Sequence, residues 1–282
     1  MPEIGDGDAR TLKALRDRID AIDAAMHRLL IERGTVIESL IRTKGTSRPG
    51  AAFRPGREAD MMRRLVARHE GQLPLATVEH IWREIITTFT RMQAPFNVAI
   101  DISIEPDRMH DLARFTFGFS VELLPCPDAA AVVSRVAQAN DLGLIARKAA
   151  GAWWRGLVGL GAPRIMALLP FVEGRERPAD LPAFVISPPL ADPTPPDIGV
   201  FAVTGAGRFG SAVGVEVLAS AGGEVLLAAL GSADAAEVSR RLGDAGVEAT
   251  AIAAVGGFAR GVAVDGGSTV LYQVADRAGA GR

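Results

Sequence analysis

Leu12-Lys-Ala-Leu-Arg16-Asp-Arg-Ile-Asp-Ala-Ile-Asp23, continued by Leu29-Leu-Ile-Glu-Arg33, is the stretch from which the fold can be read. Its apolar residues fall at 12, 15, 19, 22, 26 and 29, then at 36 and 40. This 3-4 rhythm is the signature of one face of a helix and predicts a single long helix from about Thr11 to Lys44. Gly45 and the Pro49-Gly50 pair end it. At about 1.5 Å per residue the helix is a rod of roughly 50 Å, too long to bury its stripe against a small domain of its own. A partner helix is implied. Two shorter helices follow. One runs from Arg57 to about Glu70, with Met61, Met62, Leu65 and Val66 on its apolar side and Gly71 closing it. The other starts at Pro74, a favoured first-turn residue, and carries Val78, Ile81, Trp82, Ile85, Ile86, Phe89 and Met92. Trp82, Met61 and Met62 read as core.

Polar residues interrupt these stripes at defined places. Position 33, where the seam calls for a leucine, holds Arg33. Lys44 lies eleven residues on, and eleven steps of about 100° return to within roughly 20° of the same face. Glu58 breaks the second stripe and Gln93 the third. A buried charge without a partner costs several kcal/mol, so two cations, a carboxylate and an amide facing an apolar interior suggest a pocket for a polar, anionic ligand. Arg16 lies seventeen residues before Arg33, about 25 Å along the rod, whereas an arginine reaches only about 7 Å. One helix cannot bring both to one small ligand, but an antiparallel partner can. A homodimer with two equivalent sites follows.

The 282 residues suffice for about two domains, and 48% hydrophobic residues can build a real core. The net charge of −2 argues against a dedicated nucleic-acid binder or a polybasic membrane-surface protein. Residues 1–96 carry 16 basic and 13 acidic side chains, the remainder 15 and 20. The single cysteine, Cys126, excludes a disulfide framework, and the four histidines lack zinc-ligand spacing, so no metal is expected. An acidic N-terminus without an apolar core, and no apolar run near 18 residues, point to a cytoplasmic protein without a membrane partner.

The residues quoted above, with Lys44, Arg54-Pro-Gly-Arg57-Glu58, Ile81-Trp-Arg-Glu-Ile-Ile86 and Gln93, resemble the all-helical (AroQ-type) class of chorismate mutase in order and spacing over residues 10 to 95. The resemblance implies an intertwined three-helix dimer that rearranges chorismate to prephenate. It implies that Arg16 of the partner chain and Arg33 bind the two carboxylates and that Arg57 lines the same pocket. Lys44 and Gln93 would hydrogen-bond the ether oxygen, and Glu58 would accept from the ring hydroxyl. The rearrangement is intramolecular and needs no cofactor, nucleophile or proton-transfer pair. It needs a compact conformer and donors aimed at the oxygen that gains charge. Forked arginines suit carboxylates and a lysine suits a single oxygen; only Lys13, Lys44 and Lys148 are lysines. Two positions depart from the family. Phe89 stands where many members carry a small hydroxyl residue, although Thr88 and Thr90 flank it, and Arg54 stands where some carry an acid.

Residues 97–282 read differently. Strand (97–102), helix (108–117), strand (121–124), helix (128–139) and strand (142–145) suggest an α/β lobe over 97–190. Ser187 to Pro196 holds five prolines in ten residues and reads as a stiff linker. Beyond it, strand (198–203), helix (211–220), strand (225–230), helix (233–245) and strand (249–255) suggest a second α+β domain over 197–282. The expected fold is therefore multi-domain, a helical mutase domain (1–96) followed by an α/β (α+β) region. The order faintly resembles mutases fused to a prephenate dehydratase lobe and a regulatory ACT domain. However, the dehydratase's Thr-Arg-Phe motif would fall near Leu181-Pro-Ala-Phe184, where Thr and Arg are absent, and the amino-acid-binding motifs of ACT domains are not visible. Gly205-Ala-Gly207-Arg-Phe-Gly210 has the form of a dinucleotide fingerprint, as in mutases fused to a dehydrogenase. The next strand does not end in an acid and only 72 residues follow Gly210, so a Gly-rich turn is the expectation. The C-terminal region is expected to be structural or regulatory. A non-catalytic helical dimerisation module with an α/β ligand-sensing region is the alternative, and a bifunctional mutase–dehydratase or mutase–dehydrogenase a second.

Overall fold

The computed structural model describes residues 6–44, 53–174, 177–190, 195–205, 214–231 and 233–264. The chain divides into two compact units, Met1–Thr46 and Ser47–Arg282. The first is one helix, α1 (Asp6–Lys44), five residues longer at its start than the apolar rhythm indicated. Its stripe is uncovered: Leu15, Ile19, Ile22, Met26 and Leu29 are each more than half exposed. Nothing in a lone helix can cover a stripe of this length, which is why the spacing calls for a second one.

The second unit begins with α2 (Pro55–Arg68) and α3 (Leu75–Gln93). Pro55 sits in the first turn of α2, where its missing N–H costs nothing. The buried faces are Ala59, Met62 and Leu65 on α2, and Glu79, Arg83, Ile86, Thr87 and Thr90 on α3. Next come β1 (Val98–Asp101), α4 (Pro106–Phe117), β2 (Leu123–Cys126), α5 (Ala129–Gln138) and β3 (Leu142–Ala146). The three strands are parallel in the order β2-β1-β3, as two helical crossovers require. Asp128 caps α5 by accepting from the Ala131 N–H at 2.8 Å. A 3₁₀ turn (Trp153–Leu157), β4 (Arg164–Leu169), β5 (Val172–Glu173) and β6 (Ala183–Ser187) complete this run, β6 lying antiparallel between β3 and β4.

After the Pro-rich segment come β7 (Ile198–Thr204), β8 (Val215–Ala221), β9 (Glu224–Leu230), α6 (Ala235–Asp244), β10 (Ala251–Phe258) and β11 (Val262–Ala263). Nine strands form one sheet in the order β2-β1-β3-β6-β4-β10-β7-β9-β8, and β11 pairs with β5. The sheet therefore runs on across the proline-rich segment, because β10 docks beside β4. That join needs a glycine. At Gly256 φ is +135°, and a Cβ there would lie 2.1 Å from the Ile165 carbonyl oxygen.

One expected element is corrected. A helix was expected over 211–220; of these, 211–213 lie outside the described residues, as do 206–210, and Val215–Ala221 is a strand paired antiparallel with β9. The cause is the turn. Gly222 and Gly223 take φ +57° and +80°, the two positive values of a tight hairpin, so the chain folds straight back on itself. The main core packs α4, α5 and the 3₁₀ turn on this sheet, with Met109, Leu112, Leu144, Ile145, Trp154 and Phe184 among its fully buried residues.

Candidate active-site residues on three helices

Of the residues predicted for the site, α1 carries Arg16, Arg33 and Lys44. Arg16 is exposed and Arg33 half-buried. Lys44 is the last residue of the helix, so its backbone position follows directly from the unbroken rod.

The other predicted residues lie on α2 and α3. Consecutive helical residues point about 100° apart, so Arg57 and Glu58 diverge: Arg57 is exposed and Glu58 turns inward. Glu58 meets the Arg83 guanidinium of α3 at 3.6 Å. Two small cavities, of about 30 and 40 Å³, flank this pair. Their other lining residues include Phe117, Leu142, Met166 and Phe171, and among the described residues lining either cavity only Glu58 and Arg83 are ionisable. Burial pushes the Glu58 carboxyl above its ordinary value, and the Arg83 charge works against that shift. Each cavity has room for little more than a water molecule. Thr88 and Phe89 are half-buried, and Thr90, one position on, is buried. Gln93 donates from Nε2 to the Phe89 carbonyl at 3.0 Å, within its own helix. Arg54, where some members of the resembled family carry an acid, is the N-cap residue of α2.

Arg83 was not singled out in the sequence, nor were the two residues behind it. Arg83 also lies 3.9 Å from Glu79, one turn earlier on α3. Glu79, 1% exposed, is gripped by both terminal nitrogens of Arg177, from Nη2 at 3.1 Å. The signal available was the i,i+4 Glu79–Arg83 pair on the face of α3 that also carries Ile86, Thr87 and Thr90. Arg177 gave none, being 98 residues away in sequence. Further contacts tie α3 to α4 and the loop after it. The His80 ring stacks on Phe115 at 5.1 Å, its Nδ1–H donating to the Phe115 carbonyl at 3.1 Å, and Glu84 accepts from the Phe119 N–H at 3.2 Å.

Two larger clefts lie elsewhere in the second unit, of about 500 and 520 Å³. The first is bordered by Arg63, Arg164, Leu190, Asp197 and Phe258. Arg63 there bridges to Asp197 at 2.6 Å and stands over the Phe171 ring. Of the glycine motif, 206–210 lie outside the described residues, and the element that follows is strand β8 rather than the helix a dinucleotide fingerprint requires. No group of three or more His, Cys, Asp or Glu side chains suited to a metal occurs among the described residues. No helix among them is long and apolar enough to cross a membrane.

Residues 15–94 match the family model for chorismate mutase type II. The match lies within the N-terminal third of the chain. Three curated relatives are similar to part of the chain, each named bifunctional chorismate mutase/prephenate dehydratase. The Neisseria gonorrhoeae protein is 31% identical over 112 residues, 40% of this chain and 30% of that protein. Those of Stutzerimonas stutzeri and Pseudomonas aeruginosa are 32% and 31% identical over 96 residues, 33% of this chain and 26% of each. The chain spans less than a third of the length of these relatives. No solved structure matches it. The matched segment contains α1 from residue 15 onward and all of α2 and α3, and ends one residue beyond Gln93, so every predicted site residue falls inside it.

Proposed function

We propose that this chain is a chorismate mutase that works as a homodimer through α1. The observation that carries the reading is the set Arg16, Arg33, Lys44, Arg57, Glu58 and Gln93, in family order, inside the matched segment 15–94. The uncovered stripe of α1 supports the dimer, since a rod of about 58 Å with exposed Leu15, Ile22 and Leu29 gains by pairing. In this reading Arg33, with Arg16 of the partner chain, binds the two carboxylates of chorismate, and Arg57 adds a third cation. Lys44 and Gln93 donate to the ether oxygen as the carbon–oxygen bond breaks, and Glu58 accepts from the ring hydroxyl. Gln93 Nε2 carries two N–H groups, one of which donates to the Phe89 carbonyl. Thr88, beside Phe89, supplies a hydroxyl where Phe89 has replaced one. The enzyme supplies a compact conformer and preorganised charge, and the product is prephenate.

The α/β part is read as non-catalytic, structural or regulatory. Leu181-Pro-Ala-Phe184 lacks the Thr and Arg of the dehydratase motif, and its last two residues are buried in β6. The division of this part into 97–190 and 197–282, and a cytoplasmic location, belong to the same proposal. The test follows the loss of chorismate absorbance with the full chain and with Arg33→Ala. Turnover by the first and its collapse in the second is expected. No turnover by the full chain overturns the enzyme reading and favours a non-catalytic dimerisation module.

A further inference from the structure

Four ionisable side chains of alternating sign lie in a row from the segment between β5 and β6 to α2: Arg177, Glu79, Arg83 and Glu58. Their side-chain exposures are 5%, 1%, 10% and 25%, so Glu58 is the most exposed of the four, while Arg177 and Glu79 also line the cleft of about 520 Å³. Arg83 is shared between two carboxylates, 3.6 Å from Glu58 and 3.9 Å from Glu79. How strongly it serves Glu58 therefore depends on how well Glu79 is satisfied from its other side. Arg177 supplies that with a two-nitrogen grip, its guanidinium carbon 4.5 Å from the centre of the Phe115 ring. In a buried setting such a grip is strong, and removing one member leaves a charge that must find another partner.

We propose that the α/β region controls the mutase-site carboxylate Glu58 at a distance, with Arg177, Glu79 and Arg83 as positioning residues. Arg177 occupies Glu79, which leaves Arg83 available to hold Glu58 as the carboxylate. This gives residues beyond 96 a role in the site without any contact with substrate. The effect on catalysis rests on the mutase reading, whereas the coupling to Glu58 does not. The groups that face the relay are few. Arg83 on α3 faces Glu58, the rest of both cavity linings being uncharged. Arg177 is also felt by Glu173 on β5, a carboxyl raised by burial and pulled back by that charge. His80, beside Glu79 in sequence, is directed to the Phe115 carbonyl.

Alternation makes the signs opposite. Losing Arg177 turns Arg83 toward Glu79 and lets Glu58 protonate at higher pH. Losing the Glu79 charge turns Arg83 wholly to Glu58 and lowers its titration. The experiment is a carbon-13 NMR titration of the Glu58 carboxyl in the full chain, assigned with Glu58→Gln, for wild type, Arg177→Gln, Glu79→Gln, the double variant and Arg177→Lys. Expected are a rise of at least about half a pH unit in Arg177→Gln and a fall of similar size in Glu79→Gln. The double variant follows Glu79→Gln, because Arg177 acts only through Glu79, and Arg177→Lys restores most of the wild-type value. General loosening lets water in and lowers Glu58 in every variant, so a fall or no change in Arg177→Gln overturns the proposal. Should Arg177→Gln not fold, Glu79→Gln against the double variant carries the test: values differing by more than about 0.3 unit overturn it. The acid limb of kcat/KM is expected to move with the titration. Glu58 shifts without any turnover overturn the mutase reading alone, and turnover with an unmoved Glu58 overturns the relay alone.

Discussion

The two ends of the family-matched segment carry similar apolar stripes and meet opposite fates. On α1, Leu15, Ile22 and Leu29 are 55%, 51% and 59% exposed; on α2, Met62 and Leu65 are 0% and 3%. The difference is one of neighbours. Helices α2 and α3 find the sheet unit of their own chain, with Phe171 and Val172 joining Met62, Leu65 and Ile86 in one cluster. The long helix has no such surface within its own compact unit, and in the proposed dimer a second chain covers its stripe. Two of the buried charges follow the same division: Glu58 on α2 and Arg83 on α3 are paired with each other, whereas Arg16 on α1 is exposed.

The comparison can be broken at four places. The largest effect is expected from Phe184→Ala, which empties a fully buried site in β6. It should destabilise the sheet unit by about 3–5 kcal/mol in chemical denaturation and leave the helix pairing of α1 intact. Next, Arg33→Ala should lower kcat/KM for chorismate at least about hundredfold, roughly 2.7 kcal/mol, with an unchanged melting temperature of the sheet unit. Ile22→Asp, in the middle of the exposed stripe, should convert the dimer to monomer in sedimentation at micromolar concentration, a loss of about 1.5–3 kcal/mol per chain. A dimer that persists would mean that α1 is not the seam.

The smallest effect is electrostatic. Burial pushes the Asp197 carboxyl up, but the Arg260 N–H and the Arg63 charge outweigh it and hold it below its ordinary value. A carboxyl depressed in the folded state contributes stability above about pH 4, which is lost as pH falls through the folded value. Asp197→Asn should therefore melt earlier than wild type near neutrality, and the two curves should converge as pH falls through the depressed folded-state value. This tests the clamp that Asp197 forms between α2, through Arg63, and the chain after β10, through Arg260.

Much of the helical region was legible because it is written in local code. Gly45 after α1, Pro74 at the start of α3 and the 3-4 rhythm each act within a turn or two of where they stand. The alternating strands and helices over 97–145 were legible for the same reason. The error at 211–220 has a local cause too: Gly222-Gly223 is a hairpin signal, but a run of small residues can be read as helix or strand until its partner strand is known. In the site, Glu58 and Gln93 could be named from the stripes they interrupt. Arg83 could not, because a charge on a helix is ordinarily solvated and only the packing shows it to be buried.

What the sequence by itself determined is helices α1 to α6, the apolar stripe of α1 and the residues that break it, since periodicity depends on near neighbours; β8, read as helix, is the exception. The tertiary structure decided the rest. It joined β10 to β4 across the proline-rich segment where Gly256 permits backbone to touch backbone. It also placed Arg177 on Glu79, 98 residues apart, because a buried carboxylate must be paired and the chain nearby offered only the half-committed Arg83.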